Sequence, residues 1–183
     1  MKKLLFLLTL TLIVVSCSKD DDLAADLIND RGLNDAPFIL PGEYIVATRF
    51  TASEMSTYQG RKLTGIEYYL KNKPNQCEVQ VYSGSNGSAP GTLVYSKSVT
   101  VEMEADSWNL HSPSTDIELT GEDLWIAVRF VLNNEDATIG CDAGPAVANG
   151  DWIVSSVDND WKTYRDFTNA TVSINWNIRG QVE

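Results

Sequence analysis

The feature that most constrains this chain is a two-residue alternation that sets in at Glu43 and continues to the end. In residues 173–182, Ile174, Trp176, Ile178 and Val182 fall on one parity, and Ser173, Asn175, Asn177, Arg179 and Gln181 fall on the other. Successive side chains of a strand point to opposite faces, so this spacing separates an apolar face from a polar one. In residues 62–70, Thr64, Ile66, Tyr68 and Leu70 oppose Gly65, Glu67 and Tyr69 in the same way, and Cys77, Val79 and Val81 oppose Glu78, Gln80 and Tyr82. Ile45, Ala47 and Arg49 alternate with Val46, Thr48 and Phe50. Residues 93–101, 108–110, 116–119, 138–141 and 152–155 read as further strands, rich in β-branched and aromatic residues. Residues 124–132 are apolar on both parities apart from Arg129, which predicts a central strand covered on both faces. Residues 83–88 and 133–136 are turn-forming runs of Ser, Gly, Asn and Asp. A helical turn at 52–58 is the only helix expected. About nine or ten short strands in one run predict an all-β, two-sheet antiparallel β-sandwich of the jelly-roll kind.

The amino terminus follows different rules. Lys2 and Lys3 precede an apolar run over residues 4–15, too short to span a bilayer but suited to the core of an export signal. The run closes on Val14-Val15-Ser16-Cys17, which resembles the lipobox of bacterial lipoproteins. That resemblance implies diacylglycerol on Cys17, cleavage after Ser16 and acylation of the new amino group. Acyl chains contribute roughly 0.8 kcal/mol per buried CH₂, so several on one residue hold a protein firmly to a membrane. Ser18-Lys19-Asp20-Asp21-Asp22 resembles the surface-export tag of Bacteroidetes-type lipoproteins, which implies the outer face of the outer membrane. The expected organisation is a signal peptide at 1–16, a lipidated cysteine and acidic tether at 17–42, and the sandwich at 43–183.

Charge narrows the partners. Loss of Lys2 and Lys3 takes 14 basic residues to 12 against 25 acidic ones, and the formal charge from −11 to −13. Nucleic acid needs a basic footprint and is not an expected partner. Cys77 and Cys141 are left to pair in an oxidising compartment or to stay as buried thiols. No zinc-protease helix, phosphate loop, dinucleotide fingerprint or nucleophile elbow occurs. His111, the single histidine, is expected in a surface loop, and Glu102 and Glu104 on a solvated strand face. The chain is therefore expected not to be an enzyme; a hydrolase is the least favoured reading.

The aromatic residues point to binding. Trp152 and Trp161 flank a turn with Asp158 and Asp160, and Tyr164 follows. Indole and phenol faces stack on sugar rings while carboxylates bond hydroxyls, which suits a glycan. Trp161 folding back to close the sandwich is the competing expectation. A second candidate is one polar-aromatic sheet face carrying Arg49, Glu67, Tyr69, Tyr82, Trp125, Arg129 and Arg179. Cross-strand pairing of those arginines with acids is the alternative. Asp142 and Asp151 are candidate oxygen ligands for a structural calcium, the sole cofactor considered.

Residues Phe50–Met55, Tyr58-Gln59-Gly60, Leu63–Tyr69, Val79–Gly84, Trp108-Asn109-Leu110, Leu124–Val128, Ile139–Pro145, Gly150-Asp151-Trp152, Trp161 and Trp176–Arg179 together resemble the β-sandwich accessory domains of secreted and surface proteins of the same bacterial group. The gingipain-type cleaved-adhesin jelly rolls are the best-known of these. The resemblance implies a surface adhesin or binding module for a glycan or a host or partner protein. A structural or accessory subunit of a surface complex is the alternative.

Overall fold

The computed structural model describes residues 27–183. Cys17, the acidic run after it and the signal segment lie outside the described residues. The chain forms β1 (Phe38–Ile39), β2 (Gly42–Phe50), α1 (Ala52–Met55), a 3-10 turn (Ser56–Tyr58), β3 (Lys62–Leu70), β4 (Gln76–Ser85) and β5 (Pro90–Ser98). It continues with β6 (Ser107–His111), β7 (Ile117–Glu118), β8 (Leu124–Leu132), β9 (Asp136–Ala137), β10 (Trp152–Ser155), β11 (Lys162–Thr163), α2 (Tyr164–Phe167) and β12 (Ile178–Val182).

Two antiparallel sheets make the sandwich. One has six strands in the order β11-β10-β2-β8-β4-β5; the other runs β12-β3-β6, with β7 also on β3. The chain crosses between sheets from β2 to β3, β3 to β4, β5 to β6 and β7 to β8, in the manner of a jelly roll. The apolar parity of each strand points into the space between the sheets. Val46, Val79, Val81, Ile126, Val128 and Phe130 come from one side, and Leu63, Ile66, Tyr68, Leu70 and Ile178 from the other. Strand β8 sits between β2 and β4 as its double apolar pattern requires.

Three elements depart from the sequence expectation. Residues 138–141 form isolated bridges, Ile139 to Leu70 and Cys141 to both Asp35 and Trp176, in place of a strand. The last strand begins at Ile178 rather than near Ser173, although Ile174 and Trp176 are buried as their parity predicts. Before it, Asn175 turns its amide to Asp142 (2.8 Å) and accepts from the Val147 N–H (2.7 Å), so the Asn175 side chain bonds loops. Helix α2 was not expected, because four residues carry no helical period. Its start is set by Thr163, whose hydroxyl accepts from the Asp166 N–H at 3.0 Å. The expected turn at α1 is present, closed by a Thr51–Glu54 capping box.

The stretch expected as tether is in part folded onto the domain. Leu27 and Gly180 exchange two backbone hydrogen bonds of 3.0 Å, and Asp35 bridges Cys141. Asp30 takes a bidentate pair from Arg179 (2.9 and 2.7 Å), whose guanidinium lies 4.2 Å from the Trp108 ring centre. Strand β1 then pairs β9.

Cys77 and Cys141 are free and buried. Burial pushes both thiols up to about 12, so neither is a thiolate near neutral pH.

His111 is not in a surface loop. It lies in β6, is 9% exposed, and its Nε2 meets the Tyr95 hydroxyl of β5 at 2.7 Å, joining the two sheets. Burial lowers its pKa from 6.5; nearby Glu102 opposes the shift and Lys97 adds to it. The folded protein thus favours neutral imidazole more than the unfolded chain does. The linked stability is complete above pH 6.5 and is lost as pH falls below that value through the folded pKa. Urea midpoints measured from pH 7.5 to 5 should fall for the natural protein, and His111→Gln should flatten that slope; an unchanged slope would show that His111 is not its source.

Candidate functional site

The outer face of the six-stranded sheet carries a second apolar cluster, separate from the core. Its buried members are Ala47, Trp125 and Ala127, and Ile45, Tyr82, Trp152 and Trp161 pack against them. The registers explain the meeting. Trp152 of β10 pairs with Ala47 of β2, which pairs with Ala127 of β8, which pairs with Gln80 of β4. In the adjacent row Arg49 pairs with Trp125, and Trp125 with Tyr82. Two fully buried alanines therefore form a low floor onto which the large rings pack. Trp152 lies 5.0 Å from Trp125 between ring centres, and Trp161 lies 5.6 Å away at 68°. Trp161 reaches the face from the turn ahead of β11, and it covers Trp125 rather than closing the end of the sandwich.

Polar groups frame this floor. Arg49 stands 5.6 Å over the Trp125 ring, held by Asp123 (2.6 Å) and by the Gly87 carbonyl (2.9 Å). On the far side the Tyr82 hydroxyl donates to Gln80 Oε1, and Gln80 Nε2 donates to Glu78, each at 2.7 Å. Arg129 bonds Glu43 at 2.7 Å and lies 3.8 Å from Glu78. Burial alone would raise the Glu78 pKa, but bonds from Ser96 and Gln80 and the charge of Arg129 outweigh it and hold the carboxyl below its ordinary value. Both arginines are thus committed to acids across the sheet. In contrast, the indole N–H groups of Trp125 and Trp152 are buried and meet no acceptor among the described residues. A buried donor left unpaired costs about 1–3 kcal/mol, which the packing of the rings around it must offset.

The sequence candidates divide on this map. Trp125, Trp152, Trp161 and Arg49 converge, and Arg129 lies one row away. Asp158 and Asp160 order the loop below Trp161: Asp158 bonds Ser155 (3.0 Å) and Lys162 (2.8 Å), and Asp160 lies 3.9 Å from the same lysine. The Lys162 contact brings Asp158 down to about 2. Tyr164 does not reach the face; it is buried in the main core, 4.9 Å edge-on to Trp176. The expected single polar-aromatic face is split. Arg49, Tyr82, Trp125 and Arg129 belong to the six-stranded sheet, whereas Glu67, Tyr69 and Arg179 belong to the other. On that second sheet Gln181 donates to Glu67 at 2.6 Å and Asp30 covers Arg179. Ala47, Ala127 and Gln80 were not singled out from sequence. Small residues on the parity opposite Val46 and Val128 were the available signal.

Asp142 and Asp151 each accept hydrogen bonds from protein donors. Asp142 accepts from the N–H groups of Arg31, Gly144 and Asn175 and from the Asn175 amide, between 2.8 and 3.1 Å, which occupies its lone pairs. Asp151 is fully buried, and its Oδ2 accepts from the Arg165 N–H of α2 at 3.3 Å. Burial raises its pKa. Among the described residues no group of three or more His, Cys, Asp or Glu is placed to hold a metal.

These features define an antiparallel β-sandwich with an aromatic floor on one outer face. No protein-family model matches the chain, and no curated protein does. Its fold is similar to the crystal structure of the cysteine protease and lectin-like domains of Cwp84, a surface layer associated protein of Clostridium difficile. The likeness has a TM-score of 0.53 at 16% identity and covers 80% of this chain and 33% of that one.

Trp125→Ala removes a fully buried indole and should cost about 3–5 kcal/mol in urea denaturation. Trp161→Ala, at the half-exposed rim, should cost less than half of that while changing the near-ultraviolet circular dichroism. Equal losses for the two would mean that Trp161 is part of the core rather than its cover. Chelation with EDTA should leave the melting temperature unchanged; a fall of several degrees would establish a metal that Asp142 geometry argues against.

Proposed function

We propose that this protein is a non-catalytic binding module, anchored at the cell surface through lipid on Cys17, whose aromatic floor takes a glycan. The observation that carries this reading is the ring cluster on the outer sheet face, where Trp152, Trp161 and Tyr82 stay partly exposed over buried Ala47, Trp125 and Ala127. Half-exposed rings supply apolar area for a sugar face, and the framing polar groups are already fixed by ion pairs, so little ordering remains on binding. A lectin-like domain in the solved neighbour supports the same reading at the level of fold. The lipobox-like junction and acidic run support a location on the outer membrane. The strongly acidic charge favours neutral or cationic partners over anionic polymers.

Glycan-array screening of the full-length chain tests the reading. Selective binding is expected, unchanged by EDTA and reduced at least about tenfold by Trp161→Ala, a loss of about 1.4 kcal/mol. Tyr82→Phe keeps the ring and should retain most of the binding. Silence across a broad array from folded protein would overturn the glycan assignment.

A further inference from the structure

A cleft opens where the edges of the two sheets meet, away from the aromatic floor. Strand β5 ends the six-stranded sheet, and β7 pairs only with β3, so neither edge is capped by another strand. Between them Val94, Ile117, Leu119 and Leu124 form an apolar lining, with Glu118 and Glu122 at its polar margin. The side chain of Val94 is aimed by a β-bulge. Val81 pairs with Tyr95 and Tyr82 with Leu93, which leaves Val94 as the extra residue.

The acids around the cleft are not equivalent. Asp123 is held by Arg49 at 2.6 Å, and Asp116 by Lys62 at 2.5 Å. Glu122 takes a single side-chain hydrogen bond, from the Ser83 hydroxyl at 3.3 Å. Neither Glu118 nor Glu122 makes an ion pair among the described residues. The cleft has about 140 Å³ of free space. That is close to the roughly 150 Å³ cavity that accommodates benzene, and too small for an oligosaccharide.

We infer that this cleft is a second binding site, which receives a lysine side chain presented by a polypeptide partner. The alkyl stem lies on the Val94, Ile117, Leu119 and Leu124 lining, and the ammonium meets Glu118 and Glu122. Two separate carboxylates suit a compact point charge with rotatable donors; a guanidinium prefers one carboxylate presented side-on. A polypeptide is the source because apolar surface continues outside the cleft. Leu93, next to Val94 of the lining, is 47% exposed outside the cleft, and a free amine would leave it in water. This site is independent of the glycan reading.

The test is an NMR titration of the ¹⁵N-labelled full-length chain with acetyl-Leu-Lys-Leu-amide, following the amides of Val94, Thr120 and Glu122. Saturable shifts are expected, with affinity at least about tenfold greater than for the same peptide carrying norleucine in place of lysine. Glu118→Gln with Glu122→Gln should weaken the lysine peptide by a similar factor, and Trp161→Ala should leave it unchanged. Equal affinity for the norleucine peptide, or no effect of the two Gln substitutions, would overturn the charge recognition. Binding of n-pentylamine as tight as the peptide would overturn the polypeptide source. Absence of saturable shifts would overturn the site itself.

Discussion

Strand β8 is apolar on both faces, and the need to cover both organises the rest of the molecule. Its inward parity, Leu124, Ile126, Val128, Phe130 and Leu132, is buried by the second sheet. Its outward parity starts with Trp125 and Ala127, which in an ordinary sandwich would face water. Burying an indole stabilises a fold by a few kcal/mol, so leaving Trp125 exposed would be unfavourable. Trp152 on β10 and Trp161 beyond it supply the cover. The outcome is a ring cluster on a surface otherwise framed by ion pairs, and that cluster makes this face the site.

Fixed polar groups surround the cluster because the sheet places opposite charges in neighbouring rows. Arg49 reaches Asp123, and Arg129 reaches Glu43 and Glu78. The more exposed Arg129–Glu43 pair contributes little stability, commonly about 0–1 kcal/mol, whereas Arg49–Asp123 is largely buried. Their larger effect is geometric, since they hold the rim of the aromatic floor in one arrangement. The other sheet uses its arginine differently. Arg179 is held between Asp30 and the Trp108 ring, so the chain ahead of β1 is tied down over that face. One outer face is thus occupied by the protein's own amino-terminal stretch, while the other carries the ring cluster, with Trp152, Trp161 and Tyr82 partly exposed.

Much of the sandwich was legible. Strand β8 and strand β3 were read to their observed ends, because sustained alternation or a long apolar run leaves little freedom of period. Residues 138–141 and 173–177 misled for a shared reason. Their parity correctly marked Ile139, Ile174 and Trp176 as buried, but burial parity does not require a hydrogen-bonded ladder. His111 was misplaced because its partner, Tyr95, is on the opposite sheet. Tyr164 was misassigned because proximity to Trp161 in sequence says nothing about which face a short helix presents. The four N–H groups from which Asp142 accepts were not legible, because they come from loops far apart in the chain.

The alternation alone determined that the chain makes a two-sheet β-sandwich, since side-chain parity is a local property of strands. Composition alone determined the acidic character of the protein, which disfavours anionic partners. Tertiary structure decided which aromatic residues share a face, because strand order and register depend on contacts between residues far apart in the chain. Trp125 and Trp161 are 5.6 Å apart between ring centres only because β8 and β10 flank β2. The same ordering put Arg179 and Arg49 on opposite sides of the molecule, where their matching strand parities had suggested a single surface.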